Sequence, residues 1–380
     1  MRSVFANIVG QRMAVAILSR ALEQGASHAY LFAGPSGVGK TEAALAFAAG
    51  LVCGDGGCGT CSTCRRVQEG LHPDVDIVAP EGNFILVDAV REINYQAAYR
   101  PYEAGARAKV YVLLEAEKLT GEAANAFLKT LEEPPTHVHF ILVTDRPERL
   151  PATVVSRCQS VTFTAIAAPV LAGVLVSRFG LPQQEADLAA RVAGGDLAYA
   201  RDLATSESAR RQRDLLLDLA RDLPKGGLWD NELALDEVMA AVEGGAAERA
   251  AESVGELKLA LEWAGDARTR KWLEKRHEEK LKRQQRRLRT LGLFTVTRIF
   301  AGWYRDLALV SSGAESAALN QDRLDDLREA ASPECLPAYT QAVMAVRQAQ
   351  DRLRYNVDAR CAIGDMFRSI KEALTQCPML

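Results

Sequence analysis

The sequence predicts an α/β domain built on a parallel sheet, followed by a small helical segment and a larger all-helical domain. Residues 1–165 alternate short apolar runs of β type with helical stretches, which is typical of a parallel sheet with flanking helices. After residue 166 the strand signals fade, and from about residue 210 the pattern is nearly all helical. We therefore expect three parts, at 1–165, 166–209 and 210–380.

The α/β part contains three apolar runs that we predict as strands: "AYLFAG" (29–34), "KVYVLL" (109–114) and "VHFILVT" (138–144). A helix is predicted between the second and third strands, because apolar residues there recur at intervals of three and four. These residues are Ala124, Phe127, Leu128 and Leu131. Two consecutive prolines, at 134 and 135, end this helix.

The helical remainder is interrupted at three places and carries one strongly basic stretch. "AGGD" (193–196) is predicted as a turn between helices, and "LPKGGLWDN" (223–231) and "SSGAES" (311–316) break the later helical pattern. Residues 268–289 hold eleven Lys or Arg against three Glu. A solvated helix with Glu–Lys pairs is the preferred interpretation of this stretch. A patch for DNA or an acidic partner is the alternative.

The composition describes an ordinary globular protein and excludes some classes of function. Of the 380 residues, 48% are hydrophobic and 25% are charged, so the chain can bury several domain cores. The net charge of −3 excludes a generally basic nucleic-acid-binding protein. No apolar run approaches the ~18 residues of a membrane span, and "MRSVFANIVGQ" lacks the apolar core of a signal peptide. We expect a cytoplasmic protein that does not act at a membrane.

A complete phosphate-binding loop follows the first predicted strand. "GPSGVGKT" (34–41) matches G-x-x-x-x-G-K-[ST] at every position, and the helical run "TEAALAFAAGL" comes next. Lys40 is expected to reach the β and γ phosphates of ATP or ADP, and Thr41 to offer its hydroxyl to Mg²⁺. The glycines let backbone N–H groups point at phosphate oxygens, and the helix N-terminus favours the anion. The predicted nucleotide-binding residues are Gly34, Pro35, Ser36, Gly37, Val38, Gly39, Lys40 and Thr41, together with Thr144.

Four of the eight cysteines cluster in a glycine-rich loop, at Cys53, Cys58, Cys61 and Cys64. Four thiolates can close a tetrahedral zinc site, and disulfides are rare in a reducing compartment. An iron–sulfur cluster or free thiols are the alternatives, although the C-x3-C step followed by proline of ferredoxins is missing. Because all four positions are filled by protein, the predicted Zn²⁺ is structural. We interpret the scattered cysteines as small apolar residues of the core: Cys158, Cys335, Cys361 and Cys377.

Taken together, these motifs resemble the bacterial clamp-loader subunits of the AAA+ family. Residues 1–205 carry the resemblance in "VGQ", "HAYLFAGPSGVGKT", the cysteine loop 53–64, "NAFLKTLEEPP" and "LPATVVSRC". "HPDVDIVAPEGN", "VDAVREI" and "LRYNVDARCAI" resemble the delta-prime type of subunit. The resemblance implies an AAA+ P-loop base with a zinc loop, a small helical lid at 166–209, and a helical collar at 210–380 that joins subunits.

Two departures separate this chain from the ATP-hydrolysing motor subunit of the family. The motor carries an Asp-Glu box at the end of the second strand, where this chain has Leu114 and Glu115. It also carries an arginine in a G-S-x-R stretch of the lid, where "GGDLAYAR" places Ala198. Mg²⁺ needs well-placed carboxylates, and an aspartate on this strand anchors it in P-loop enzymes. We therefore expect the chain's own ATPase to be absent or very weak, with rescue by Glu115 or Glu117 as the alternative.

The resemblance also gives Arg157, in "SRC", a catalytic role in a neighbouring subunit. It implies that this arginine projects into the neighbour's ATP site, where an arginine supplied in trans is worth about 10³–10⁵ in rate. The implied partners are the motor subunits and the delta subunit, with the sliding clamp and primer–template DNA, in the DNA polymerase III holoenzyme. An active motor ATPase of the same loader and a free-standing AAA+ repair or helicase-type protein are the alternative functions.

Overall fold

The computed structural model divides the chain into two compact units, residues 1–204 and 205–380. The backbone is described except at 1–3, 81–83, 104–106, 227, 253–266, 356, 376 and 378–380. Side chains are additionally left undescribed at 228–229, 248–252, 267–284 and 287. The predicted three-part division at 165 and 209 stays a prediction.

The first unit is built on a parallel sheet of five strands in the order β2-β3-β4-β1-β5. The strands are β1 Ala29–Ala33, β2 Val75–Val78, β3 Lys109–Leu113, β4 Val138–Thr144 and β5 Gln159–Thr162. In the register of the sheet, Ala33 lies opposite Thr144, and Leu113 opposite Leu142. The carboxyl ends of the three central strands therefore meet at one edge, which is where ligands bind in sheets of this kind.

Helices cover both faces of this sheet. They are α1 Arg12–Gln24, α2 Lys40–Val52, α3 Ser62–Gln68, α4 Val87–Ala97, α5 Gly121–Glu132 and α6 Ala152–Val155. On one face, Phe47 of α2 packs against Tyr30 and Phe32 of β1. On the other face, Phe127 of α5 packs edge-on against Phe140 of β4, with 4.9 Å between ring centroids. Each face thus has its own apolar core, as the alternation of side chains along a strand requires.

The three predicted strands are β1, β3 and β4, and each prediction ends within one residue of the observed strand. The predicted helix before the two prolines is α5, which Thr120 caps by accepting a hydrogen bond from the Ala123 N–H at 3.2 Å. β2 and β5 were not predicted from the sequence. Both are edge strands with few buried positions, so neither shows a continuous apolar run.

Three further helices complete the first unit: α7 Ala168–Phe179, α8 Gln183–Ala193 and α9 Leu197–Thr205. The predicted "AGGD" turn lies between α8 and α9, where Gly194 has a positive φ of 59° and ends α8. Leu171 and Leu175 of α7 pack with Ala186 and Ala190 of α8 in a separate small core. This segment is therefore a helical layer with its own apolar centre.

The second unit is helical throughout the residues that the structure describes, as predicted. Its helices are α10 Glu207–Asp222, α11 Leu228–Glu252, α12 Ala267–Ser311, α13 Leu324–Ala330, α14 Leu336–Arg354 and α15 Ala359–Leu374. Its core includes Phe300, Trp303 and Tyr304 of α12, all 1% exposed or less. The basic stretch 268–289 lies in α12, but most of its side chains fall outside the described residues. A search of the described helices finds none that is long and apolar enough to cross a membrane.

The scattered cysteines correct the prediction that all four are apolar fillers of the core. Cys335 and Cys377 are buried and joined in a disulfide, with Cα atoms 5.5 Å apart. Cys361 is exposed at the start of α15. Cys158 alone fits the interpretation in part, because it packs against the apolar core between the sheet and α5. The pairing went unforeseen because 42 residues separate the two partners in sequence.

Candidate nucleotide and metal sites

The phosphate-binding loop connects β1 to α2 at the carboxyl edge of the sheet. Gly37 and Gly39 have positive φ values of 74° and 91°, and α2 begins directly after them at Lys40. The Gly34 N–H donates to the Thr144 carbonyl at 3.3 Å, which joins the loop to the end of β4. The predicted nucleotide-binding residues Gly34–Thr41 and Thr144 thus lie together. Their arrangement presents a helix N-terminus and backbone N–H groups, the chemistry that binds phosphate.

Gln11 stabilises this loop through hydrogen bonds to backbone groups. From the sequence, it was noted only as part of the "VGQ" motif that carries the family resemblance. Its side chain is 4% exposed and its amide donates to the carbonyls of Val38, at 3.2 Å, and Thr164, at 2.8 Å. Its carbonyl accepts from the Thr164 N–H at 3.1 Å. A buried side-chain amide with three bonds to backbone fixes the loop against the chain that leaves β5.

The Lys40 ammonium is fully engaged by the protein itself. It is 5% exposed and donates to the Gly34 carbonyl at 2.8 Å and to the Pro35 carbonyl. Its third contact is an ion pair with the Asp145 carboxylate, with 2.8 Å between Nζ and Oδ1. Asp145 directly follows β4, and sequence reasoning missed it because 105 positions separate it from Lys40 along the chain.

Leu114 is a core residue and cannot act at the site. Its side chain is 5% exposed and lies in the apolar core beneath the sheet. Glu115 follows it with φ 51°, the one positive value among the non-glycine residues that the structure describes. The Glu115 carboxylate pairs with Lys118 at 2.7 Å. The strand end that carries the acidic box in the motor subunits therefore presents here an apolar side chain and a carboxylate paired within its own turn.

Glu117 is the carboxylate that does reach the sheet edge. The Thr144 hydroxyl donates to its Oε2 at 2.6 Å, and burial raises the pKa of Glu117 above the usual range. Thr144 itself is 1% exposed, and its oxygen also accepts from the Arg146 N–H at 3.0 Å. Three carboxylates thus follow β3 and β4, with different partners: Glu115 with Lys118, Glu117 with Thr144, and Asp145 with Lys40.

The helical layer 168–205 contacts the phosphate loop at Gly37. The Leu197 N–H, in the first turn of α9, donates to the Gly37 carbonyl at 2.9 Å. The Asp196 carboxylate caps α9 through the Tyr199 N–H and lies so close to Gly37 that an added Cβ there would meet it at 2.0 Å. A glycine at position 37 is therefore required by this contact as well as by its backbone conformation. Ala198, the position of the expected motor arginine, is exposed.

The cysteine loop brings its four sulfurs together, within 4.8 Å of one another. The sulfurs of Cys53 and Cys61 are 3.7 Å apart, close to the ~3.8 Å edge of a tetrahedron with Zn–S bonds of about 2.3 Å. The Cys58 sulfur accepts from the Cys61 N–H at 3.3 Å, and the Cys61 sulfur accepts from the Cys64 N–H at 3.4 Å. Hydrogen bonds from the backbone at Thr60 and Cys61 lower the pKa of the Cys58 thiol to about 6. The donor set fits a closed site that could hold zinc.

A second polar cluster beside the cysteine loop is a hydrogen-bonded brace. His72, Asp74 and Glu103 place possible ligand atoms within 4.8 Å of one another. Each of these groups already has a partner. His72 Nδ1 accepts from the Asp74 N–H at 3.1 Å, the Asp74 carboxylate accepts from the N–H groups of Tyr102 and Glu103, and Arg66 donates twice to Glu103. A guanidinium at 2.7 Å from the Glu103 carboxylate disfavours a second cation there.

Arg157 lies just after α6, and its guanidinium is held by its own chain. It donates to the Thr153 carbonyl at 2.9 Å and to the Ser156 hydroxyl at 3.4 Å, and it pairs with the Glu132 carboxylate at the end of α5. The side chain is 34% exposed. All three partner residues are exposed, so these bonds leave the guanidinium able to move to another acceptor.

Comparisons with known proteins show similarity to subunits of DNA polymerase III. The family model "DNA polymerase III, delta subunit" matches residues 10–167. The chain is 27% identical to Bacillus subtilis DNA polymerase III subunit delta', over 91% of each chain. It is 42% identical to Escherichia coli DNA polymerase III subunit tau over 159 residues, 40% of this chain and 24% of tau. The chain is therefore similar to clamp-loader subunits of the delta-prime, tau or gamma type. The predicted resemblance is confirmed.

Among solved structures, the chain is similar to a DNA polymerase III gamma subunit-related protein from Thermotoga maritima. That likeness has a TM-score of 0.44 at 16% identity, and it covers 94% of this chain and 99% of the other. The two relatives named above are subunits of DNA polymerase III. The roles of the individual site residues stay predictions.

Proposed function

We propose that this chain is the delta-prime, or stator, subunit of a bacterial replicative clamp loader. In this role it helps motor subunits to load the sliding clamp onto primer–template DNA, and its helical part joins the motor and delta subunits. The observation that carries the proposal is Leu114, a buried apolar side chain at the strand end beside an intact phosphate loop. The delta-prime relative, which matches 91% of each chain, supports it.

The chain's own site binds ATP or ADP and has lost hydrolysis. Mg²⁺ keeps octahedral geometry and needs a carboxylate at a fixed place, which Leu114 cannot supply and Glu115 does not, because Lys118 holds it. We expect the purified chain to bind nucleotide and to hydrolyse ATP at background rate. Lys40→Ala should abolish the binding. Steady turnover that disappears with Lys40→Ala would contradict the stator proposal.

Arg157 acts in trans, in the ATP site of an adjacent motor subunit. Its exposure and the surface position of its partner Glu132 support this role, because the guanidinium can exchange that carboxylate for a phosphate. In the reconstituted loader, Arg157→Ala should reduce DNA-stimulated ATPase while assembly stays intact. Arg157→Lys should restore the rate only in part, since an ammonium lacks the planar fork of donors.

A matched variant separates this role from packing within the chain. Glu132→Gln removes the intramolecular partner of Arg157 and keeps the guanidinium, so the loader should retain its ATPase. If Arg157 serves only to hold α5, Glu132→Gln and Arg157→Ala should destabilise the isolated chain alike and leave the ATPase of the assembled loader unchanged. Normal ATPase in the Arg157→Ala loader would refute the trans role.

A motor subunit of the tau or gamma type is the second candidate, and the 42% identity to Escherichia coli tau over 159 residues favours it. That match reaches only 24% of tau. The two candidates differ in turnover by the isolated protein, so the Lys40 experiment also decides between them.

A structural zinc ion in the cysteine loop completes the proposal. The four sulfurs of Cys53, Cys58, Cys61 and Cys64 would hold it, and its chemistry is to fix the loop rather than to take part in catalysis. Gly57, with φ 92°, turns this loop so closely over α2 that a Cβ there would lie 3.0 Å from Gly50 Cα. The loop is thus shaped to pack on the phosphate-binding helix.

A further inference from the structure

The ion pair between Lys40 and Asp145 engages the ammonium group that is expected to bind the phosphates of a nucleotide. An ammonium has three N–H donors, and those of Lys40 are directed to the carbonyls of Gly34 and Pro35 and to the Asp145 carboxylate. The group that should meet a phosphate is therefore saturated by the protein. Of its three acceptors, only Asp145 carries a charge, and so it is the acceptor that most resembles a phosphate oxygen.

The fold fixes Asp145 in this place. β4 ends at Thr144, which pairs in register with Ala33 at the start of the phosphate loop. The Thr144 oxygen accepts from the Arg146 N–H at 3.0 Å, which closes a tight turn around Asp145. The side chain of Asp145 is 43% exposed, whereas that of Lys40 is 5% exposed. The carboxylate can therefore swing away into solvent while the ammonium stays at the loop.

We propose that Asp145 is an intramolecular competitor of nucleotide, which occupies the phosphate-binding lysine and sets the affinity of the site. The inference rests on the proposed nucleotide binding by this chain. A nucleotide must break the Lys40–Asp145 ion pair, and its phosphates then lie beside a displaced carboxylate of the same charge. Both effects weaken binding, and both disappear in Asp145→Asn.

The test measures ADP binding by calorimetry with the full-length chain, once with Mg²⁺ and once with a chelator. Asp145→Asn should lower the Kd about tenfold in both conditions, which corresponds to loss of a partly exposed ion pair and of one like-charge contact. Glu148→Gln is the matched control, because it removes the same charge three residues away from an exposed carboxylate. It should leave the Kd unchanged. A melting curve of each variant shows that the fold is intact.

Each other outcome is informative. Unchanged or weaker binding by Asp145→Asn in both conditions overturns the competitor role, and weakening only with Mg²⁺ overturns it in favour of a metal ligand. If the natural chain binds no ADP but Asp145→Asn does, nucleotide binding by the natural chain fails while the competitor role stands. Lys40→Ala added to Asp145→Asn should then abolish that binding. If neither protein binds ADP, the competitor role is overturned, and the Arg157 experiment still tests the stator proposal.

Discussion

The two units of this chain use buried polar groups in opposite ways. In residues 1–204 several of them gather at the carboxyl edge of the sheet, where Lys40 and Thr144 are buried and Glu117 is half-buried beside the phosphate loop. In residues 205–380 the buried network around Asp306 and Arg213 lies in the helical unit and is held by backbone and side-chain groups of the same unit. Exchangeable partners suit a binding site, whereas fixed partners suit a scaffold.

The buried network of the second unit is centred on Asp306 and Arg213. The Asp306 carboxylate is inaccessible and accepts from the N–H groups of Leu319 and Asn320 at 2.8–3.0 Å. The side-chain oxygen of Asn320 accepts a hydrogen bond from Arg213. Arg213 also donates to both carboxylate oxygens of Asp322, at 2.7 and 2.9 Å. This network ties α10 and α12 to the loop at 319–322 with nearly every oxygen satisfied.

The largest expected effect concerns the zinc ion that we propose for the first unit. Cys61→Ser removes one of four ligands, and binding free energies of structural zinc reach about 10 kcal/mol or more. We expect about one zinc per natural chain and no iron by elemental analysis, and a marked loss of zinc with a lower melting temperature in Cys61→Ser. Iron in the natural protein would instead indicate a cluster.

A cysteine outside the loop provides the control for that experiment. Cys361→Ser makes the same chemical change at an exposed position in the second unit. It should leave both the zinc content and the melting temperature unchanged. An equal loss of stability in both variants would mean that the effect of Cys61→Ser does not come from a metal.

The next effect in size is expected in the second unit. Arg213→Met removes the charged partner that Asp322 and Asn320 share in the described network. The Asp322 side chain is 28% exposed, so we expect a cost between the ~1 kcal/mol of an exposed ion pair and the roughly 3–5 kcal/mol of a fully buried one. Arg211→Met is the control, since that side chain is 77% exposed and paired with Glu207, and it should cost less than about 1 kcal/mol. All four tryptophans lie in residues 205–380, so denaturant unfolding followed by tryptophan fluorescence reports on this unit. Equal midpoints for the two variants would contradict the scaffold role of the network.

Sequence alone could predict the parts of the first unit whose geometry is set by a short stretch of chain. Gly34–Thr41 turns and caps α2 through its own glycines, and Cys53–Cys64 folds back over eleven residues, so contiguous patterns reveal both. The central strands could be predicted because each lies between two other strands and is covered by helices on both faces, so its sequence is a continuous apolar run. The edge strands β2 and β5 lack that burial, and alternation with polar residues hid them.

The ion pairs on which the proposals and predictions rest could not be predicted from the sequence, because they join residues far apart along the chain. Asp145 meets Lys40 only when β4 lies beside β1, and Arg213 meets Asp322 across 109 positions. Nothing local to Asp145 distinguishes it from any aspartate at a strand end. The absence of an anchoring carboxylate at position 114 could be predicted, because it depends on one residue of the sequence. The different partners of Glu115 and Glu117 could be identified only from the structure.

The smallest expected effect concerns how the stability of the first unit depends on pH, through the carboxyl group of Glu117. Burial raises the pKa of this carboxyl above its ordinary value of 4.5, although the Thr144 hydroxyl opposes the shift. Between the ordinary and the raised pKa, the folded chain keeps a proton that the unfolded chain releases. The folded state therefore loses stability as pH rises through that interval, and it has lost the full amount once the pH exceeds the raised value.

Glu117→Gln should remove this penalty, because an amide oxygen still accepts the Thr144 hydrogen bond and no charge has to be buried. We expect the variant to melt with the natural chain at pH 4 and above it at pH 7, in the same buffer series. Glu115→Gln is the comparison, since it removes an ion pair with Lys118 and should lower the melting temperature at pH 7 slightly. A lower melting temperature of Glu117→Gln at pH 7 would mean that the ionised carboxylate stabilises the sheet edge. Glu117 would then belong with the fixed partners of the second unit and not with the exchangeable groups of a binding site.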